Sequence, residues 1–185
     1  AILQGWYPGA EGGRAIAELI FGKKSPSGKL PVTFYRNDAL EELPAFTDYS
    51  MRNRTYRYYQ GTPLYPFGYG LTYGDVVVTG LSADSGQAVV QVRNQGQRGT
   101  EDVVQLYIKD EKSPDAPANP ILCGFQRVRL EAGEQKTLEI PIDPRAFTVV
   151  NEQGERVPGS GSWTLYAHTG QPDARTYQLT GRSAV

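Results

Sequence analysis

At 185 residues the chain can bury a sizeable core, and 19 Lys and Arg against 20 Asp and Glu leave no field of one sign to draw nucleic acid or an anionic membrane surface. Its 21 glycines and 13 prolines, set among 12 tyrosines, exclude an all-helical fold and favour a turn-rich, strand-rich one. No apolar run approaches the roughly 20 residues that a membrane-crossing helix needs, so neither nucleic acid nor membrane is expected as a partner.

Residues 2–7 read as a short buried strand that Pro8-Gly9 breaks. Residues 11–21 then place Ala15, Ile16, Leu19 and Ile20 on one helical face, and Gly22 ends the helix. After a turn at Lys24-Ser25-Pro26-Ser27-Gly28, residues 30–34 read as a second strand. A strand, helix and strand so connected run parallel with a right-handed crossover. That unit buries too little to stand alone, so residues 1–35 are expected to be the end of an α/β sandwich domain whose other strands lie upstream. The abrupt apolar start at Ala1-Ile2-Leu3 leads to the same expectation of a piece of something longer.

Residues 36–74 lack a clear period and form an aromatic-rich connector. Within it, Leu64-Tyr65-Pro66-Phe67-Gly68-Tyr69-Gly70-Leu71-Thr72-Tyr73 is too ring-rich for a free linker, because each packed ring buries roughly 150–250 Å². Arg54, Tyr56, Arg57, Tyr58, Tyr65, Phe67, Tyr69 and Tyr73 are therefore expected to pack between substructures. From residue 75 to 185 short strands follow one another, at 76–81, 88–92, 103–108, 122–130, 137–142, 163–167 and 177–180, with turns at Asn94-Gln95-Gly96, Glu131-Ala132-Gly133-Glu134 and Asn151-Glu152-Gln153-Gly154. Val104, Leu106 and Ile108 alternate with Gln105 and Tyr107, which predicts one core face and one wet face. The expected fold is thus mixed: the end of an α/β sandwich domain followed by an all-β immunoglobulin-like sandwich. Without a Cys-Trp-Cys framework it is of the fibronectin type III variety.

No catalytic constellation is visible. Glu11, Asp48, Asp75, Glu101 and Asp102 share no context, and Glu11 suits a helix start better than acid–base work. The only histidine, His168, ends a strand without a nucleophile motif beside it, and Cys123 has no metal-ligand neighbour and reads as a small buried apolar residue. The glycines before the helix match no phosphate-binding pattern. No catalytic, metal-binding or cofactor-binding residue is assigned. The run Met51-Arg52-Asn53-Arg54-Thr55-Tyr56-Arg57-Tyr58-Tyr59 has the composition to stack sugars or bases, and equally to pair across a domain interface, which near-neutral charge favours.

Taken in order, Gly5-Trp6-Tyr7-Pro8-Gly9-Ala10-Glu11-Gly12-Gly13, Ser25-Pro26-Ser27-Gly28-Lys29-Leu30-Pro31-Val32-Thr33-Phe34, Arg54-Thr55-Tyr56-Arg57-Tyr58 and Tyr65-Pro66-Phe67-Gly68-Tyr69-Gly70-Leu71-Thr72-Tyr73 resemble glycoside hydrolase family 3. Asp102-Val103-Val104-Gln105-Leu106-Tyr107, Leu122-Cys123-Gly124-Phe125 and Leu130-Glu131-Ala132-Gly133-Glu134 are similar to that family's C-terminal fibronectin type III-like domain. Ala10 and Lys29 stand where such enzymes often carry Gln or Glu and Arg. The resemblance implies the C-terminal portion of a retaining, exo-acting β-glucosidase or β-xylosidase. Its partners would be an N-terminal barrel and the remainder of the sandwich, which bind the β-glycoside and supply both catalytic carboxylates. The alternative is a stand-alone carbohydrate-binding or adhesion module, with Trp6, Tyr56, Tyr58 or Trp163 as its stacking platform.

Overall fold

The computed structural model describes residues 1–185. Helix α1 spans Gly12–Ile20, a 3₁₀ turn follows at Asn37–Glu42, and the short helix α2 spans Thr55–Tyr58. Strands β1 (Val76–Ala83), β2 (Gln87–Asn94), β3 (Thr100–Asp110), β4 (Ile121–Leu130) and β5 (Gln135–Pro141) come next. After another 3₁₀ turn at Pro144–Phe147 come β6 (Thr148–Val150), β7 (Arg156–Pro158) and β8 (Trp163–His168), and helix α3 (Ala174–Thr180) closes the order.

One sheet has the order β1-β2-β5 and the other β4-β3-β8; β6 and β7 form a separate hairpin. Every strand pair is antiparallel. The core lies between the sheets and is built by alternation: Ala88, Val90 and Val92 from β2, Val104, Leu106 and Ile108 from β3, and Leu138 and Ile140 from β5. Gly124 of β4 permits this closeness, since a Cβ there would stand 3.0 Å from the Pro141 carbonyl and 3.1 Å from Ile140 Cγ2.

Four expectations are corrected. Residues 2–7 are not a strand: they are exposed, with Tyr7 at 99%. Residues 30–34 contribute only an isolated antiparallel bridge between Phe34 and Tyr65, so no parallel crossover forms. A strand needs a continuous ladder with a second strand; residues 2–7 have none, and residues 30–34 meet the connector only through separate bonds at Leu30 and Phe34. Residues 177–180 lie in helix α3, because the Asp173 carboxylate caps Thr176 N at 2.8 Å and Gly181 takes the left-handed conformation at φ 71°. Finally, the predicted wet face of β3 is covered at its centre: Gln105 and Tyr107 are as buried as Leu106 between them, while Glu101 and Lys109 towards the ends stay partly exposed.

The β6–β7 hairpin was seen in the sequence only as its turn. Asn151 Oδ1 accepts from Gln153 N and Glu155 N at 3.1 and 2.9 Å, and Gly154 sits at φ 80°.

Candidate functional site

The connector covers the outer face of β3, and that contact is the most highly built polar and aromatic region of the chain. Gln105 projects from β3 and donates through Nε2 to the carbonyls of Gly68 and Thr169 at 3.0 and 3.3 Å. Its Oε1 accepts the Tyr107 hydroxyl at 2.6 Å. Gly68 sits at φ 74°, and a Cβ there would stand 2.8 Å from the Tyr107 hydroxyl, so the position admits only glycine without displacement. Burial pushes the Tyr107 phenol well above its usual range, which keeps it a neutral donor.

The rings extend this seam. Tyr56 stacks on Phe67 with centroids 4.2 Å apart and meets Tyr107 edge-on at 6.3 Å, while its hydroxyl accepts Leu122 N at 3.1 Å. Tyr65 stacks on Tyr69 at 5.6 Å, and their backbone carbonyls accept Phe34 N and Leu30 N, both at 2.9 Å. Arg54 donates to the carbonyls of Pro44 and Ala45 at 2.9 and 3.0 Å, bracing the connector from within. Tyr73 reaches the other way: its hydroxyl donates to Leu19 O at 2.7 Å and its N–H to Ser25 Oγ at 2.9 Å. Arg57 is exposed, with its guanidinium carbon 5.9 Å from the Tyr56 ring centroid, and Tyr58 is half-buried beside it. Six of the eight residues read from the sequence thus make specific contacts within the chain, and Arg57 and Tyr58 lie at the rim of the seam.

Sequence reasoning missed four polar anchors. Lys29 Nζ pairs with the Asp102 carboxylate at 2.7 Å and donates to Gly70 O at 2.8 Å, so one cation ties the 24–34 segment, the connector and β3 together. Both side chains are nearly buried, and burial raises the Asp102 carboxyl above its usual value although Lys29 and the Val103 N–H oppose the rise. Ser25 and Thr100 share a hydroxyl contact at 2.7 Å, and Arg127 donates to Ser27 Oγ at 2.6 Å. Asn119 binds the connector backbone, donating through Nδ2 to Tyr56 O and Tyr59 O, each at 2.8 Å. A buried charge seventy residues from its partner leaves no local signal in a sequence.

Inside the sandwich the fully buried Asn94 organises the turns. Its Nδ2 donates to Arg98 O at 2.7 Å and Glu131 O at 3.1 Å, and its Oδ1 accepts Asp75 N and Gly96 N at 2.9 and 3.0 Å. Asp110 is buried too; burial alone would raise it, but N–H and hydroxyl donors from Ser160 and N–H donors from Lys112 and Ser113 bring its carboxyl down to about 2. His168 is buried with Nδ1 unpaired, and burial lowers it to about 4, so it is a neutral packing residue. Burial raises the Cys123 thiol to about 12, and its Sγ packs 3.5 Å from Leu106 O.

The remaining carboxylates named from the sequence each have a partner within the chain. Glu11 meets Arg14 at 3.0 Å, Glu101 meets Arg127 at 3.4 Å, Asp75 pairs with Arg182, and Asp48 accepts Ser50 N at 2.8 Å. Around α1 and the connector, by contrast, large apolar side chains lie open to solvent: Phe46 at 91%, Tyr49 at 88% and Phe21 at 79%.

The pattern of a glycosyl hydrolase family 3 C-terminal domain matches residues 1–73, and that of a fibronectin type III-like domain matches residues 102–171. The chain is 41% identical over 148 residues to a xylan 1,4-beta-xylosidase of Xylanibacter ruminicola, covering 77% of this chain and 17% of that protein. It is 34% identical over 186 residues to a periplasmic beta-glucosidase of Salmonella typhimurium, covering 90% of this chain and 24% of that one. Among solved structures it is similar to DesR, a beta-glucosidase from Streptomyces venezuelae in complex with D-glucose, with a TM-score of 0.78 and 28% identity over 97% of this chain and 25% of that one. The chain therefore spans about a quarter or less of the length of these relatives.

Proposed function

Because the chain carries the C-terminal-domain and fibronectin type III-like segments of glycoside hydrolase family 3, we propose that it is the C-terminal part of a retaining, exo-acting β-glycosidase that removes terminal β-D-glucosyl or β-D-xylosyl residues. Its own role is structural. Residues 1–35 close an α/β sandwich, residues 36–74 form the seam, and residues 75–185 are the accessory β-domain that the seam holds in place. A barrel and the rest of the sandwich, preceding it in the same enzyme, bind the β-glycoside and provide the nucleophile and the acid/base.

The single observation that carries this is the division of the chain's surface. The seam is satisfied by Lys29, Gln105 and the stacked rings, whereas α1 and the loops before residue 52 present Phe21, Phe46 and Tyr49 to solvent. Large apolar side chains left open in this number call for a covering partner. A covalently preceding body of the same enzyme supplies it at the side where α1 lies. The stand-alone binding module has less support, since Phe67 covers one face of Tyr56 and Trp163 packs against the sandwich core.

A retaining mechanism needs two carboxyl groups roughly 5–5.5 Å apart across the sugar. The purified 185 residues are accordingly expected to show no turnover of an aryl β-glycoside, and the same chain joined to the preceding body is expected to be active. Turnover by the 185 residues alone would refute the assignment, as would an inactive joined protein that is folded.

A further inference from the structure

Arg57 and Tyr58 of the basic and aromatic run at 51–59 border a cleft of about 430 Å³ between the connector, the first half of β4 and the β6–β7 hairpin. Arg57, Arg145 and Arg156 line it together with Asp115, Tyr58 and Phe125. None of the three arginines has a carboxylate within salt-bridge distance, although the chain pairs eight other cation–carboxylate contacts. Three arginines against two carboxylates, Asp115 and Asp143, leave the lining with one net positive charge, and an anion beside the unpaired guanidinium groups is favoured. The guanidinium fork matches a carboxylate in two parallel hydrogen bonds.

Two further features narrow the ligand. Phe125 is 66% exposed on a strand whose later residues Val128 and Leu130 are core, which leaves a ring free for a flat apolar face. Asp115 also lines the cleft and pairs with no cation, while Asp143 is occupied capping Arg145 N at 2.9 Å. A site for a simple anion gains nothing from a free carboxylate; a saccharide acid uses it as a hydroxyl acceptor. Arg57 and Arg156 are held in place, the first over the Tyr56 ring and the second by a 2.7 Å bond to Thr148 Oγ1. The volume falls within the ~300–1,000 Å³ of small-molecule sites.

We infer that this cleft is an accessory, non-catalytic binding site for a uronic-acid-bearing oligosaccharide: the arginines take its carboxylate, Phe125 takes a pyranose face and Asp115 a hydroxyl. The inference rests on the glycosidase assignment above for its choice of a saccharide. It gives the same enzyme a surface that retains acidic branches of a β-linked polymer while terminal residues are removed.

Calorimetric titration of the 185-residue chain with a β-1,4-xylobiose bearing one glucuronic acid branch, with neutral xylobiose and with inorganic phosphate tests this. The acidic saccharide is expected to bind saturably, at least about tenfold more tightly than either control, and to weaken as salt rises. Arg145→Gln and Phe125→Ala, both at exposed positions, are each expected to weaken it by about fivefold or more. Equal binding of the neutral sugar, equal binding of phosphate, unchanged binding in both variants, or no binding would each overturn the inference. Hydrolysis of a neutral aryl β-glycoside by the joined protein is a separate measurement: its loss would overturn the glycosidase assignment, whereas a failed titration with hydrolysis intact removes only the accessory site.

Discussion

Lys29 and Asp102 show how one buried pair sets the energetics of the seam. Removing the cation alone leaves a buried carboxylate, so Lys29→Ala is expected to destabilise the chain by ~3–5 kcal/mol, read as a lower urea midpoint. Without Lys29 the Asp102 carboxyl is raised further. A raised folded value means the folded state holds the proton longer than the unfolded one, so the variant should lose additional stability as pH rises from acid toward neutral. The double replacement Lys29→Met with Asp102→Leu is expected to recover most of the loss. His168 behaves with the opposite sign. Its folded value falls from the ordinary 6.5 to about 4, so the unfolded chain takes up the proton first, and stability present above pH 6.5 is lost between there and pH 4. The difference amounts to up to ~3 kcal/mol, and His168→Gln should flatten that part of the stability-versus-pH curve.

At the scale of elements, β3 is the member on which the others converge. It pairs with β4 and β8 through its edges, packs Val104, Leu106 and Ile108 inward, and presents Gln105 and Tyr107 to the connector. Gly68→Ala is therefore expected to separate connector from β3, costing ~2–4 kcal/mol through a disfavoured φ and a collision with the Gln105 amide and Tyr107 hydroxyl. Loss of the Tyr56–Tyr107 edge contact in a nuclear Overhauser spectrum would accompany the loss of stability. Helix α3 depends instead on its cap, and Asp173→Ala should cost ~1 kcal/mol while leaving the seam intact. The strands from 76 to 142 were legible because period-two alternation records directly which face meets the core. Helix α3 was not, because Tyr177-Gln178-Leu179-Thr180 satisfies a strand pattern locally and only the Asp173 cap and Gly181 decide the matter.

Across the whole molecule, stability is unevenly distributed. The sandwich and seam hold the buried residues, whereas α1 buries only Gly12 and residues 1–7 have no hydrogen-bonded partner strand. Amide hydrogen exchange is expected to be slowest in β2 and β3 and fast throughout residues 1–24, with a sharp change where Ser25, Lys29 and Leu30 join the seam. Equal protection at both ends would contradict this. The open apolar side chains around α1 should also make the 185 residues bind a hydrophobic dye, and joining the preceding body should abolish that binding.

By itself the sequence determined the places of β1 to β5 and β8, the alternation of their core residues, the turns and the presence of an aromatic seam, because each of these is written in local spacing or ring content. It also held the ordered segments by which the chain is assigned to its family. Only the tertiary structure decided that the expected segments at 2–7 and 30–34 do not pair as strands, that Gln105 and Tyr107 on the second face of β3 are buried, and that Lys29 meets Asp102. It alone brought Arg57, Arg145 and Arg156 to one cleft. These depend on which distant groups lie opposite, and strand formation, burial and pairing of charge are properties of that opposition and not of the residue alone.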